Sequence, residues 1–249
     1  MKTLFIVPEI RLDSLPYHIP FWAGILGAIA ENKGGDVAIL DLNALRVNYG
    51  GGLVPKKIIA EEIQSENWDI IGIGGLTTVY SRIKELSPLI RKASPSSLFI
   101  GGGGWCSYNP DEILQLIPEI DMLVIGEGEE TFSELYDQVS KNERNFEDVN
   151  GLCIRDKKSY KFTNPRALIS DLNTVPLPSY DLMELEIYFK NSSILWARTL
   201  ATDSFTVPLY FSLVLSFSFF IVILSTSSIL FAIINESLRV TYPSSALIW

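Results

Sequence analysis

The sequence predicts an α/β domain: an open, doubly wound sheet of five parallel strands, followed by an appended hairpin and an apolar C-terminal tail. Three observations carry this. Short apolar runs that end in glycine or a turn recur five times, as buried parallel strands do. Segments with helical spacing separate them, and right-handed, short connections wind such an alternation into one sheet. Finally, charges are spread evenly as far as Asp203, whereas beyond it only Glu236 and Arg239 are charged.

Taken in order, the strands are Leu4 to Val7, Val37 to Leu40, Ile70 to Ile73, Leu98 to Ile100 and Met122 to Ile125. The helical segments are Phe21 to Glu31, Lys56 to Ser65, Tyr80 to Lys92, Asp111 to Leu116 and Thr131 to Val139. Residues 150 to 163 break the alternation. Two short runs flank Asp156-Lys157-Lys158-Ser159 and predict an antiparallel hairpin. Pro165, Pro176 and Pro178 then mark an extended linker rather than another wound unit. The expected division is a ligand-binding domain over 1–148, hairpin and linker over 149–190, and the apolar tail over 204–249. Val207 to Ile234 is uncharged throughout and exceeds the roughly 20 apolar residues that a helix needs to cross a bilayer. It reads as a candidate transmembrane helix, or as sequence foreign to the domain before it.

Composition excludes several functions. The net charge of -9, from 20 Lys+Arg against 29 Asp+Glu, opposes phosphate neutralisation, so nucleic acid is not an expected partner. Cys106 and Cys153 are too few for a disulfide framework or a four-ligand metal site. With no signal-peptide pattern at the start, the N-terminal bulk is expected to be cytoplasmic and reduced, with the tail as its possible membrane anchor. His18 is the only histidine, with no second His or Cys beside it, so it is not expected to ligate a metal. No G-x-x-x-x-G-K-[ST] or G-x-S-x-G occurs, and Gly72-Ile73-Gly74-Gly75-Leu76-Thr77 lacks the third glycine of G-x-G-x-x-G.

Ligands of open parallel sheets bind outside the carboxyl ends of the strands. Glycine collects at those ends here: Gly74-Gly75-Leu76-Thr77-Thr78, Gly101-Gly102-Gly103-Gly104-Trp105 and Gly126-Glu127-Gly128-Glu129. Missing Cβ atoms let backbone approach a bulky ligand, although glycine also serves where strands turn sharply into helices. Thr77 and Thr78 have the hydroxyls to bind a ligand or to cap the next helix. Glu127, Glu129 and Glu130 suit ligand contact, and equally the N-terminus of a helix. Trp105 has two roles open to it, lying flat on a hydrophobic ligand or capping the sheet edge. A bulky Gly103→Leu is expected to block ligand approach with little loss of fold.

From Met1 to about Tyr188 the chain resembles the N-terminal cobalamin-binding domain of cobalamin-dependent radical S-adenosylmethionine proteins. The resemblance rests on PFWAGILGAIAENKGGDVAILDLN (Pro20 to Asn43), DIIGIGGLTT (Asp69 to Thr78), FIGGGGWCSYNPDEIL (Phe99 to Leu114), DMLVIGEGEETFSEL (Asp121 to Leu135) and NGLCIRDKKSYKFTNPRALISDLNTVPLPSYDLM (Asn150 to Met183). It implies a Rossmann-like sheet in the flavodoxin-like order, with cobalamin over its carboxyl edge and the corrin facing a partner domain. The implied cofactor contacts are Gly75, Leu76, Thr77 and Thr78; Gly102, Gly103, Gly104 and Trp105; and Gly126, Glu127, Gly128 and Glu129 with Thr131. Two departures stand out. The D-x-H-x-x-G signature of histidine-ligated cobalamin domains is absent, since Asp13 and His18 are five apart. The C-x-x-x-C-x-x-C run that holds a [4Fe-4S] cluster in the family does not follow Leu182, so no iron-sulfur cluster is expected in this chain. Three roles fit: a cobalamin module without catalysis of its own, a half-enzyme served by a separate radical S-adenosylmethionine domain or chain, and a membrane-anchored sensor or carrier.

Overall fold

The computed structural model describes residues 1–157 and 159–191, and Met1–Ser192 forms one compact unit. The candidate transmembrane segment 207–234 lies outside the described residues. No helix among the described residues is long and apolar enough to cross a membrane.

The strands are β1 (Lys2–Val7), β2 (Asp36–Asp41), β3 (Ile70–Gly75), β4 (Leu98–Gly103), β5 (Met122–Val124), β6 (Leu152–Asp156) and β7 (Ser159–Phe162). They form one sheet in the order β2-β1-β3-β4-β5-β6-β7, parallel through β5 and antiparallel from β5 onwards. The first five follow the flavodoxin-like order. The expected count of five is corrected to seven. The hairpin joins the sheet, as expected, and supplies the two further strands: β6 takes up the free hydrogen-bonding edge of β5, with Leu123 opposite Cys153.

The helices are α1 (Phe21–Asn32), α2 (Leu42–Leu45), α3 (Lys56–Gln64), α4 (Tyr80–Ala93), α5 (Pro110–Leu116), α6 (Glu129–Ser140) and α7 (Leu185–Asn191). The chain leaves β1 in one direction for β2 and returns across it to β3, β4 and β5. Right-handed crossovers therefore place α1 on one face and α3, α4 and α5 on the other. Strand alternation sorts the core accordingly. Leu4, Ile6, Ile71, Ile73, Phe99 and Leu123 pack with Ile59 and Ile63 of α3 and Ile83, Leu86 and Ile90 of α4. Phe5, Val7, Ile70, Leu98, Ile100, Met122 and Val124 pack with Ala23 and Ile29 of α1 and Phe132, Leu135 and Tyr136 of α6.

After β7 the chain adds no further βα unit among the described residues. Tight turns at Leu172–Thr174 and Tyr180–Leu182 lead into α7. This stretch is tied back to the domain. Ser179 N–H donates to the Gly24 carbonyl at 3.0 Å, and the buried Tyr188 hydroxyl donates to Asp41 Oδ2 at 2.6 Å. Burial raises the Asp41 carboxyl above its ordinary value, and burial beside Asp41 pushes the Tyr188 hydroxyl up as well.

Candidate functional site

The carboxyl half of the sheet is built from IIGIGG in β3 and LFIGGG in β4, paired so that Gly74 lies opposite Gly102 and Gly75 opposite Gly103. Alternation sends Gly72, Gly74 and Gly102 to the face covered by α1 and α6. Where side chains would fill the space between sheet and helices, a cavity of about 460 Å³ remains. Its floor is glycine, and its walls include Phe5, Trp22 and Phe132. Phe5 meets Trp22 and Phe132 edge-on, with ring centroids 6.0 Å and 5.4 Å away. Two of the floor glycines make room for these rings: a Cβ on Gly72 would lie 2.8 Å from Phe5, and one on Gly74 3.0 Å from Trp22. At Gly102 the only neighbour a Cβ would meet is Val124, at 3.8 Å.

Nine of the thirteen expected contact residues line the cavity: Gly75, Leu76, Gly102, Gly103, Gly104, Gly126, Glu127, Gly128 and Glu129. The other four do not line it. The Thr77 hydroxyl donates to the Gly104 carbonyl at 3.3 Å, joining two loops of the rim, and Thr78 is exposed. Trp105 is buried on the opposite face, where its indole N–H donates to the Gly102 carbonyl at 2.8 Å and supports the glycine floor from beneath. Thr131 is buried too, donating to the Asn150 carbonyl at 3.0 Å and accepting from Arg166 Nε at 2.6 Å. The expectation for Gly103→Leu is corrected. Gly103 has φ +101°, and a Cβ there would lie 2.5 Å from the Gly75 carbonyl oxygen, so the backbone itself requires glycine.

Glu127 and Glu129 differ. Glu127 Oε2 accepts the Ile169 backbone N–H at 2.6 Å and so anchors the chain after the hairpin. Glu129, in the first turn of α6, has a buried Oε2 with no protein partner. His18 lies at the rim, exposed and 4.2 Å from the Tyr17 ring. Among the described residues no three His, Cys, Asp or Glu side chains come together as a metal site. Burial pushes the Cys106 thiol up to about 12 and the Cys153 thiol up to about 11, which keeps both protonated.

Sequence reasoning missed the aromatic and aliphatic walls, and Asn43. The signal was present: Phe5 and Val7 share strand parity with the floor glycines. It missed the support of the 10–19 loop as well. The buried Arg46 guanidinium donates to Asn43 Oδ1 at 3.1 Å, to the Gly51 carbonyl at 2.6 Å, and to the carbonyls of Arg11 and Ser14. Just before this loop, Glu9 is fully buried and forms two 2.8 Å contacts to Arg82 and one of 3.0 Å to the Val54 N–H. Burial opposes charge on Arg82, but hydrogen bonds and the fields of Glu9 and Glu85 outweigh it and raise the guanidinium pKa.

A doubly wound sheet with a glycine-floored cavity at its carboxyl edge defines a domain that holds a ligand against the strand ends. The chain belongs to the B12 binding domain family, whose model matches residues 10–136. It is similar to an uncharacterized methyltransferase of Pyrococcus horikoshii, 31% identical over 52% of this chain and 28% of the relative. It is also similar to the anaerobic magnesium-protoporphyrin IX monomethyl ester cyclase of a Synechocystis species, 29% identical over 48% of this chain and 23% of that protein. The chain thus spans about a quarter of the length of these relatives. Its fold is shared with two radical S-adenosylmethionine enzymes of known structure. OxsB with aqua-cobalamin and S-adenosylmethionine bound superposes with a TM-score of 0.61 at 20% identity, covering 76% of this chain and 25% of that one. The methyltransferase TsrM of Kitasatospora setae, with cobalamin and a [4Fe-4S] cluster bound, gives 0.56 at 19% identity, covering 72% and 31%.

Cobalamin is the cofactor of this family, and the cavity suits one end of it. Its volume is within the roughly 300–1,000 Å³ of small-molecule sites. That is room for a nucleotide-sized group and not for a whole corrinoid. Gly102 leaves the floor open, and Glu129 Oε2 is a buried acceptor awaiting a donor such as a sugar hydroxyl.

Proposed function

We propose that this chain is the cobalamin-holding part of a radical S-adenosylmethionine-type protein, without catalytic activity of its own. The observation that carries the reading is the side-chain-free floor at Gly102, beneath a cavity that opens at the carboxyl edge. In this reading the nucleotide tail of cobalamin enters between the sheet and α1 and α6, and the corrin stays outside, facing a radical domain. That domain is supplied by further sequence or by another chain. Gly102, Gly104 and Gly128 give the tail close access to the backbone, Phe5, Trp22 and Phe132 exclude water from it, and Glu129 accepts a hydrogen bond from it. When bound, cobalamin supplies a cobalt centre that can carry a methyl group. His18 is not assigned to cobalt, because Asp13 stands five residues before it and the D-x-H-x-x-G setting is absent.

The same reading divides the chain into a cobalamin-binding domain over 1–148 and a hairpin and linker over 149–190. Cys106 and Cys153, free and buried, accord with a reducing cytoplasm. Equilibrium dialysis of the full-length chain against hydroxocobalamin, followed by visible absorption, tests the proposal. Saturable retention of one corrinoid per chain is expected. Retention no greater than that of an unrelated α/β protein overturns it.

A further inference from the structure

We propose that the cavity discriminates between corrinoids by the base that ends their nucleotide tail, accepting a benzimidazole-type bicycle and rejecting a purine. This rests on the tail-binding reading above and extends it to the substrate class of the same site.

The argument turns on what lies at each depth. Parallel strands run towards the carboxyl edge, so residues early in a strand lie deep and late ones lie at the rim. The deep part is made by Phe5, Gly72 and Ile100, which lie side by side in register, with Trp22 and Phe132 from the helices above them. None of these has a side-chain acceptor, and the only donor is the indole N–H of Trp22. The backbone adds nothing, because β3 is paired on both sides by β1 and β4, and β4 by β3 and β5. The polar side chains Glu127, Glu129, Asn43 and His18 all belong to elements beyond the strand ends.

A tail entering from the rim places its sugar near Glu129 and its terminal base among the aromatic rings. A dimethylbenzimidazole presents flat apolar surface there and leaves no exocyclic donor unmet. An adenine must bring an exocyclic amine and extra ring nitrogens out of water into a region that offers almost no partners. Apolar pockets reject an added polar group by about 100-fold at most. The expected discrimination is therefore about 10- to 100-fold in affinity.

The experiment titrates the full-length chain by equilibrium dialysis with three probes: cobalamin, the corresponding cobamide carrying adenine, and cobinamide, which has no nucleotide. Binding of the adenine form at least 10-fold weaker than cobalamin, with cobinamide weaker too, is expected. Val124→Thr, which adds a hydroxyl to the cavity wall beside Gly102 at nearly constant volume, should narrow the gap between the two bases at least 3-fold. Equal affinity for both bases, with cobinamide weaker, overturns the discrimination while leaving tail binding intact; cobinamide bound as tightly as cobalamin overturns the tail-binding reading. Failure of all three probes to bind overturns the tail-binding reading itself.

Discussion

The two faces of the sheet are built from the same strands and end differently. Towards α3 and α4, β3 and β4 present Ile71, Ile73 and Phe99, and at Gly101 the space is taken by Leu123 and Trp105. Towards α1 and α6 the same strands present Gly72, Gly74 and Gly102, and a cavity remains. Because neighbouring residues point to opposite faces, a strand such as IIGIGG can close one layer and open the other within six residues. The α1 and α6 face is packed too where the strands begin, by Ile70 and Leu98, and it opens only towards the carboxyl edge.

The largest expected effect is on the filled face. Phe99→Ala removes a fully buried ring and should cost about 3–5 kcal/mol in urea unfolding, while the protein that remains folded binds cobalamin with unchanged affinity. A weaker affinity in proportion to the lost stability would show that the faces are not independent. Next comes the seam between them. Gly103→Leu combines a disfavoured backbone conformation with a clash against the Gly75 carbonyl, and should destabilise by about 2–4 kcal/mol. On the open face, a Cβ at Gly102 would meet only Val124; Gly102→Leu, whose side chain extends from there into the cavity, should change stability by less than about 1 kcal/mol, yet weaken cobalamin at least 10-fold, or about 1.4 kcal/mol. Unaltered binding in that variant would place the tail elsewhere.

The smallest effect belongs to the tie between α7 and β2. Asp41 has a folded-state pKa raised above the ordinary 3.8 by burial. Such a group stabilises the fold fully below its unfolded pKa and loses that contribution as pH rises through the folded value. Asp41→Asn keeps the N-cap of α2, where the side chain accepts from the Ala44 N–H, and removes the titration. The difference in urea midpoint between variant and wild type should therefore grow in the variant's favour as pH rises from about 4. A difference independent of pH would mean that Asp41 does not titrate in this range.

Much of the architecture was legible because it depends on local pattern. The five parallel strands follow from apolar runs, and α1, α3, α4 and α6 from spacing. Hairpin placement was not, since nothing in GLCIRDKKSYKF says which sheet edge its hydrogen bonds will meet. Of the site, the glycines and the Glu129 position were legible from strand ends. Trp105 was not: its indole bonds to Gly102 from the far face, and only packing decides on which side of a strand a loop tryptophan falls.

The sequence by itself determined an alternating α/β chain, glycine at three strand ends and too few thiols for an iron-sulfur cluster. Residue order is enough for these, because they depend on periodicity and composition. Tertiary structure alone decided that Gly72, Gly74 and Gly102 share a face with Phe5, Trp22 and Phe132, and that Gly103 serves the backbone rather than a ligand. It also placed Arg46 under the 10–19 loop and seated Tyr188 on Asp41. Each of these brings together residues far apart in the chain, and such contacts are set by the crossover handedness and register of the whole sheet, which no local window contains.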